Sequence, residues 1–248
     1  MDKVVVITGA SAGIGAATAE LLSSRGASVA LLARRADALA AVAARCGARV
    51  LSLPADATQR SDVRAAVEQT LARFGRIDVW INNVGQGITR APSELTDEDI
   101  DTIMRVNVKS ALYGMQEVLP HFRARGEGQV INVSSMLGRV PFVAFRSAYC
   151  GAKHFLNALT ATFRMEVQEQ YPGIQFTLVS PPVVRTEFGT NAMHGGPDSR
   201  TLPNSQSAEE VAAVIVRAIE TRSPDLYTIP GARGRVTGYY AGLGEDPA

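Results

Sequence analysis

Cysteine, histidine and net charge are all scarce in this chain of 248 residues. Its two cysteines, Cys46 and Cys150, lie far apart and in no metal-ligand spacing. That excludes a disulfide framework and leaves reduced thiols as the expectation. The three histidines, His121, His154 and His194, share no ligand spacing either, so they are read as structural or surface residues and no metal site is expected. Lys and Arg number 25 against 24 Asp and Glu, a formal net charge of +1, and this balance points to neither nucleic acid nor an anionic membrane. No apolar stretch reaches the roughly 18 uncharged residues that span a bilayer. The opening M-D-K-V-V-V-I-T-G-A is no signal peptide, because its acid comes first and a glycine turn follows a short apolar run. A soluble, cytoplasmic protein is the expectation.

What is present is an ordinary globular composition, 46% hydrophobic and 20% charged, on a length that suits one large domain over residues 1–248. Short runs rich in Val, Ile and Leu predict strands at 4–8, 28–33, 50–54, 79–82, 130–134, 176–180 and 226–229. Their lack of strict alternation suits strands covered on both faces. Helical periodicity predicts helices at 14–25, 36–46, 61–74, 97–125, 148–170 and 208–221. Thr96 and Ser207 stand at capping positions, and Gly26 and Gly126 stand where helices stop. The alternating order predicts an α/β fold: a doubly wound parallel sheet of about seven strands, a Rossmann fold, with helices on both faces. Residues 185–206 show little periodicity and are too long for an ordinary connection, so they are read as a lid or an insertion. No structure is readable after Pro230.

The first strand runs into T-G-A-S-A-G-I-G, Thr8 to Gly15, and a helix follows. Glycines at such a turn let the backbone approach a ligand, and the helix N-terminus offers free N–H groups to a pyrophosphate. The spacing is G-x3-G-x-G. A dinucleotide with a free 2′-hydroxyl calls for an acid about 20 residues further on. The second strand instead ends Ala33-Arg34-Arg35. A guanidinium at Arg34 would pair with a 2′-phosphate, which favours NADP; Arg35 is read as solvated. Further on, Tyr149 precedes Lys153 by one helical turn in S-A-Y-C-G-A-K. Positive charge nearby would favour the phenolate and lower the tyrosine pKa, so Tyr149 could donate or accept a proton.

Together these motifs resemble the short-chain dehydrogenase/reductase family, from Thr8 to about Ile229. The resemblance implies cofactor contacts at Gly9, Ser11, Gly13, Ile14 and Gly15. It implies an adenine contact at Asp56, with a backbone contact at Ala57. The family's N-N-A-G motif appears as Asn82-Asn83-Val84-Gly85, which assigns Asn83 and Gly85 to the cofactor. Catalytic roles fall on Asn107, Ser135, Tyr149 and Lys153: Tyr149 as acid and base, Lys153 on the nicotinamide ribose, Ser135 on the substrate oxygen. Asn107 would hold a water that links Lys153 to solvent. Pro181, Val184 and Thr186 would flank the nicotinamide. The implied activity is hydride transfer between NADP, with NADPH preferred over NADH, and a carbonyl or alcohol substrate.

Three departures stand out. Pro182 replaces the usual glycine after Pro181, Ser135 and Tyr149 are one residue further apart than in many members, and Ala12 stands where NADP users often carry a base. The substrate wall is expected from Gln86, Ile88, Met136, Leu137, Val140, Phe142, Phe145, Phe188 and Met193, an apolar set suited to a hydrophobic carbonyl compound. Arg139 and Arg146 could meet an anionic group but are read as solvated. Leu112, Met115, Val118, Leu119, Phe155, Leu159, Phe163 and Val167 give the two long helices more apolar face than one sheet needs, and the resemblance implies that these helices pack across a two-fold axis into a homodimer or homotetramer. The alternatives are a non-catalytic NADP-sensing regulator on the same fold and a lyase such as a halohydrin dehalogenase. The lyase would lose the glycine turn, so Gly9, Gly13 and Gly15 argue against it.

Overall fold

Parallel strands joined by helices form one seven-stranded sheet in the order β3-β2-β1-β4-β5-β6-β7. The structure, a computed structural model, describes residues 1–244. The strands are β1 Val4–Thr8, β2 Ser28–Ala33, β3 Val50–Pro54, β4 Val79–Asn82, β5 Gly128–Val133, β6 Ile174–Ser180 and β7 Asp225–Tyr227. The helices are α1 Gly13–Ser24, α2 Ala36–Arg45, α3 Arg60–Phe74, α4 Asp97–Met104, α5 Ser110–Arg125, α6 Ser147–Gln168, α7 Ala208–Thr221 and α8 Ala232–Ala241.

Successive strand residues point to opposite faces, and each face needs its own cover. Val5 and Ile7 of β1 pack with Val29 and Leu31 of β2 against α1 and α7. Val6, Ala30, Leu32, Trp80 and Phe176 pack on the other face against α3, α5 and α6. The apolar faces of α5 and α6 are largely used inside this chain. Met115, Val118, Leu119, Phe163 and Val167 are buried in that second core, contrary to the expectation that they exceed what one sheet needs. Phe155 remains half exposed.

The helix expected at 97–125 is interrupted. Thr96 and Asp99 form a capping box at the start of α4, and a π-helical turn over Arg105–Lys109 separates α4 from α5. A π-turn widens the helix by one residue and is frequent at functional sites. Here it carries Asn107. The capping box at Ser207 and Glu210 begins α7 as the spacing predicts. The segment after Pro230 forms α8, whose Tyr240 donates a hydrogen bond to the Arg139 carbonyl at 2.8 Å.

Residues 185–206 form no helix and no strand. Bridges from Ile88 to Met193 and from Val184 to Gln206 stitch the segment to the body. His194 bonds Asp99 at 2.7 Å, and Arg90 bonds the other oxygen of that carboxylate at 2.9 Å. These donors, with the Thr96 backbone, hold the Asp99 carboxyl well below the usual carboxylate range.

No helix among the described residues is long and apolar enough to cross a membrane, and no described cluster of His, Cys, Asp and Glu could hold a metal ion.

Candidate active site

The sheet order reverses direction between β1 and β4, where one connection turns outward through β2 and β3 and the next returns. Ligands of such sheets bind outside the carboxyl ends of the strands at that point. A cleft of about 1780 Å³ opens there.

One end of the cleft is the turn between β1 and α1. Gly9 and Gly13 have φ of +69° and +54°, values that residues with a Cβ rarely adopt. Gly15 is required for a different reason: a Cβ there would lie 2.3 Å from the Gly9 carbonyl oxygen and 2.7 Å from Asn83 Nδ2. Asn83 in turn donates to that carbonyl at 3.2 Å, and its backbone N–H donates to Thr8 Oγ1 at 3.1 Å. The turn after β4 thus holds the turn after β1 in shape. Ser11, Ile14, Arg34, Asp56 and Ala57 line the same end. Asp56 Oδ1 accepts from both the N–H and the hydroxyl of Thr58 at 2.9 Å, which fixes the carboxylate at the end of β3. Arg35, read from sequence as solvated, reaches over the turn to Ser11 Oγ at 3.4 Å and lines the cleft beside Arg34.

The other end is built from β5, α6 and the loops after them. Ser135 follows β5 and caps a short 3-10 turn by accepting from the Leu137 N–H at 3.1 Å. Its neighbour Ser134 is committed to Asn157 at 2.5 Å, which leaves Ser135 as the serine beside Tyr149. A second 3-10 turn over Ala144–Arg146 leads into α6 just before Tyr149. Tyr149 and Lys153 sit one turn apart on α6, with Lys153 Nζ 5.7 Å from the centre of the tyrosine ring. Phe188 packs on the tyrosine as well, its ring centre 5.4 Å away. Pro181, Val184 and Thr186 complete this wall, and Thr186 packs across Gly13. Pro182 lines the cleft as well.

Two expected contributors stand behind the wall. Gly15 supports the turn. Asn107, wholly buried, accepts from the Gln86 N–H at 3.1 Å and donates to the Gln86 and Ile103 carbonyls at 3.0 Å. Both amide hydrogens are therefore spent on backbone, and the side chain fixes the loop after Gly85. A Cβ on Gly85 would press on Asn107 Oδ1 at 3.2 Å and touch Lys153 Nζ at 3.6 Å.

A buried polar chain behind the site gave no sequence signal. Trp80 Nε1 donates to Asn82 Oδ1 at 2.7 Å, Asn82 Nδ2 to Asn132 Oδ1 at 2.8 Å, and Asn132 Nδ2 to Thr160 Oγ1 at 2.8 Å. It ties β4 and β5 to α6, and so to the helix that carries Tyr149 and Lys153. Fully satisfied buried networks of this kind fix one packing arrangement.

Electrostatics at this end departs from the expectation of a lowered tyrosine pKa. Burial pushes the Tyr149 phenol well above its ordinary value, and the Ser135 hydroxyl and the Arg146 charge pull it back only in part. Lys153 turns its ammonium to the Val133 carbonyl at 3.0 Å. Burial holds it down at about 8, from 10.5. Between those values the unfolded chain carries more protons on this lysine than the folded one, so its cost to stability is present at neutral pH and fades as pH rises from about 8 toward 10.5. Lys153→Met is expected to be more stable than the parent at neutral pH, by on the order of 2 kcal/mol, with the difference shrinking as pH rises. Thermal unfolding of both proteins across a pH series checks this, and a destabilisation of the variant that does not vary with pH would contradict it.

Ile88 and Met193, expected in the substrate wall, pack beneath it in a cluster with Tyr149 and Ala152. The other expected wall residues, Gln86, Met136, Leu137, Val140, Phe142, Phe145 and Phe188, do line the cleft. Arg139 is turned away: it bonds Asp225 at 2.5 Å and Ser180 Oγ at 3.2 Å. Arg146, expected to be solvated, is only 8% exposed. Cys150 is buried, and burial raises its thiol to about 11, which leaves it a neutral packing residue.

A family model described as short chain dehydrogenase matches residues 3–195. An uncharacterized oxidoreductase of Staphylococcus saprophyticus is 40% identical over 188 residues, covering 75% of this chain and 76% of that protein. Among solved structures, a short-chain dehydrogenase/reductase from Burkholderia phymatum in complex with NAD superposes with a TM-score of 0.88 at 23% identity, covering 100% of this chain and 98% of that one. A short-chain dehydrogenase from Sphingobium yanoikuyae in complex with NADPH superposes with a TM-score of 0.81 at 30% identity, covering 99% of this chain and 98% of that one. The matched model spans the glycine turn, the Asn83 and Asn107 elements and the Tyr149–Lys153 helix, and with the sheet order it shows that the chain belongs to the short-chain dehydrogenase/reductase family of oxidoreductases.

Proposed function

We propose that the protein is an NADP-dependent oxidoreductase that transfers a hydride between the nicotinamide and a carbonyl or alcohol group of a small, mostly hydrophobic substrate. The observation that carries this reading is one cleft joining a glycine turn flanked by Arg34 and Arg35 to a buried group of Tyr149, Ser135 and Lys153. A dinucleotide suits this turn because Gly9 and Gly13 hold a left-handed backbone and Gly15 packs against the Gly9 carbonyl, a tight turn that brings the N-terminus of α1 to the cleft.

When bound, the nicotinamide supplies a hydride to a carbonyl carbon or takes one from an alcohol. In the reductive direction Tyr149 donates its phenolic proton to the carbonyl oxygen, and Ser135 hydrogen-bonds that oxygen as its charge develops. The tyrosinate then regains a proton from solvent. Burial keeps Tyr149 protonated at neutral pH, which is the form reduction requires. Lys153 binds the nicotinamide ribose, and Asn107 holds the Gly85–Gln86 loop in place. Residues 185–206 form the lid of the substrate end. Half-exposed Phe155 and exposed Met165 on α6 support association into a homodimer or homotetramer.

The solved relatives carry either NAD or NADPH, so the cofactor preference rests on the two guanidiniums and on the lack of an acid at the end of β2. The test is oxidation of NADPH and of NADH against a panel of ketones, aldehydes and diketones. NADPH is expected to be preferred. Replacing Arg34 and Arg35 together by alanine is expected to raise the KM for NADPH roughly ten- to a hundredfold and to leave NADH nearly unaffected. A parent protein that prefers NADH would sink the cofactor assignment.

A further inference from the structure

We propose that Asp99 is a positioning residue of the substrate site: its carboxylate ties the first part of the lid, residues 187–194, to the loop after β4 and so fixes Phe188 against Tyr149. The inference rests on the reductase reading given above and adds to that same site a residue that stands outside the cleft.

Thr96 and Asp99 begin α4 as a capping box, and Ser207 and Glu210 begin α7 in the same way. The two acids differ in what else they meet. Glu210 is exposed, and among the described residues only the Ser207 N–H donates to its carboxylate, at 2.7 Å. The Asp99 side chain is 4% exposed and takes donors from three segments. The Thr96 N–H donates to Oδ2 at 3.1 Å, Arg90 Nη1 donates to Oδ2 at 2.9 Å, and His194 Nε2 lies 2.7 Å from Oδ1. A carboxylate only accepts, so the His194 nitrogen carries the proton of that bond. A helix cap needs neither the burial nor the two added donors. Those donors join the lid, through His194, and the loop after β4, through Arg90, on one buried charge.

The backbone at this junction is committed to the same arrangement. The Met193 N–H donates to the Gly87 carbonyl at 2.9 Å, and the Thr89 N–H donates to the Met193 carbonyl at 3.0 Å. The Arg90 N–H donates to the Phe145 carbonyl at 3.0 Å, so the residues that receive the lid also meet the loop that leads into α6. His194 has a φ of +61°, an uncommon conformation outside glycine that persists where the surroundings over-determine it. Phe188 and Met193 pack in one cluster with Ile88 and Tyr149. Gly87 allows the close approach, because a Cβ there would lie 3.0 Å from Phe188 Cε1 and 3.3 Å from Ala192 Cβ. Phe188 lines the cleft, whereas Asp99, Arg90 and His194 do not. Asp99 therefore acts on the substrate through residues 187–194 and touches neither substrate nor cofactor.

His194→Ala removes the tie and leaves the cap of α4 intact, and the imidazole it deletes is 42% exposed, so the variant should fold. Hydrogen exchange of the Met193 and Thr89 amides should quicken at least about tenfold, because a bond to a charged group is lost. The substrate KM in NADPH-dependent reduction should rise roughly three- to tenfold, with kcat, NADPH affinity and the thermal midpoint close to the parent's. Asp99→Ala should raise KM further and also lower the midpoint, since the cap is lost with the tie. In a Phe188→Ala background, His194→Ala should add little, because its effect runs through that ring. Parent-like exchange in His194→Ala would overturn the tie. Faster exchange with an unchanged KM, or KM effects of His194→Ala and Phe188→Ala that are fully additive, would overturn the positioning role. If the parent turns over no carbonyl compound, the reductase reading falls, and exchange by itself decides whether Asp99 holds the lid.

Discussion

Tyr149→Phe is expected to lower kcat/KM for carbonyl reduction by roughly a hundred- to ten-thousandfold, the usual contribution of a positioned general acid. The substitution removes one hydroxyl from a ring that packs on Phe188 and lies near the Lys153 ammonium, and the ring itself stays. Cofactor binding and the thermal midpoint should therefore stay close to those of the parent. Because the phenol is pushed up by burial, the parent's reductive rate should hold steady through neutral pH and fall only in the alkaline range, where the proton is lost. Steady-state rates with the best substrate, with NADPH titrated into both proteins by fluorescence, separate the two effects. A variant that binds NADPH normally and turns over at the parent's rate would exclude Tyr149 as the acid.

Gly15→Ala should show the second large effect, on the opposite end of the cleft. The added methyl would stand 2.3 Å from a backbone oxygen and 2.7 Å from Asn83 Nδ2, and the backbone atom has no flexible end that could move aside. Overpacking of this kind costs about 1–3 kcal/mol, and a clash with backbone belongs at the upper limit. The turn would open and Asn83 would lose its bond to the Gly9 carbonyl. NADPH affinity should fall at least about tenfold along with the thermal midpoint, since about 1.4 kcal/mol is a tenfold change in binding. Gly75→Ala provides the contrast: its φ of +77° makes a side chain unfavourable, but a Cβ there meets nothing within 4 Å, so stability should drop without selective loss of cofactor. Equal loss of cofactor affinity in both variants would show that the effect is not local to the turn.

Some elements could be read directly. β1, with five apolar or β-branched residues that are all buried, cannot be anything but a central strand. The caps at Thr96 and Ser207 are local chemistry, and the structure realises both as capping boxes. The glycine turn and the Tyr149–Lys153 pair follow from short-range spacing, so their places on the chain were visible before any fold was known. Elsewhere the local signal misled. The periodicity from Asp97 to Arg125 continues through a π-turn, because a one-residue widening leaves the apolar pattern nearly unchanged. The apolar faces of α5 and α6 looked like surface for a partner, yet most of those side chains fill this chain's own core.

The sequence by itself determined the strand and helix order, and with it the parallel sheet, the turn that can receive a dinucleotide, and the family to which the chain belongs. These follow from periodicity and from residues within a few positions of one another. Tertiary structure decided what each polar side chain does. It took one amide hydrogen of Asn107 for the Gln86 carbonyl 21 residues away, turned Arg139 to Asp225, set Arg35 over Ser11, and buried Arg146 with its Nη1 on the Ile88 carbonyl. The reason is physical: hydrogen bonds and desolvation are set by distances through space, and a linear pattern of charges does not encode which of them will be sealed from water together.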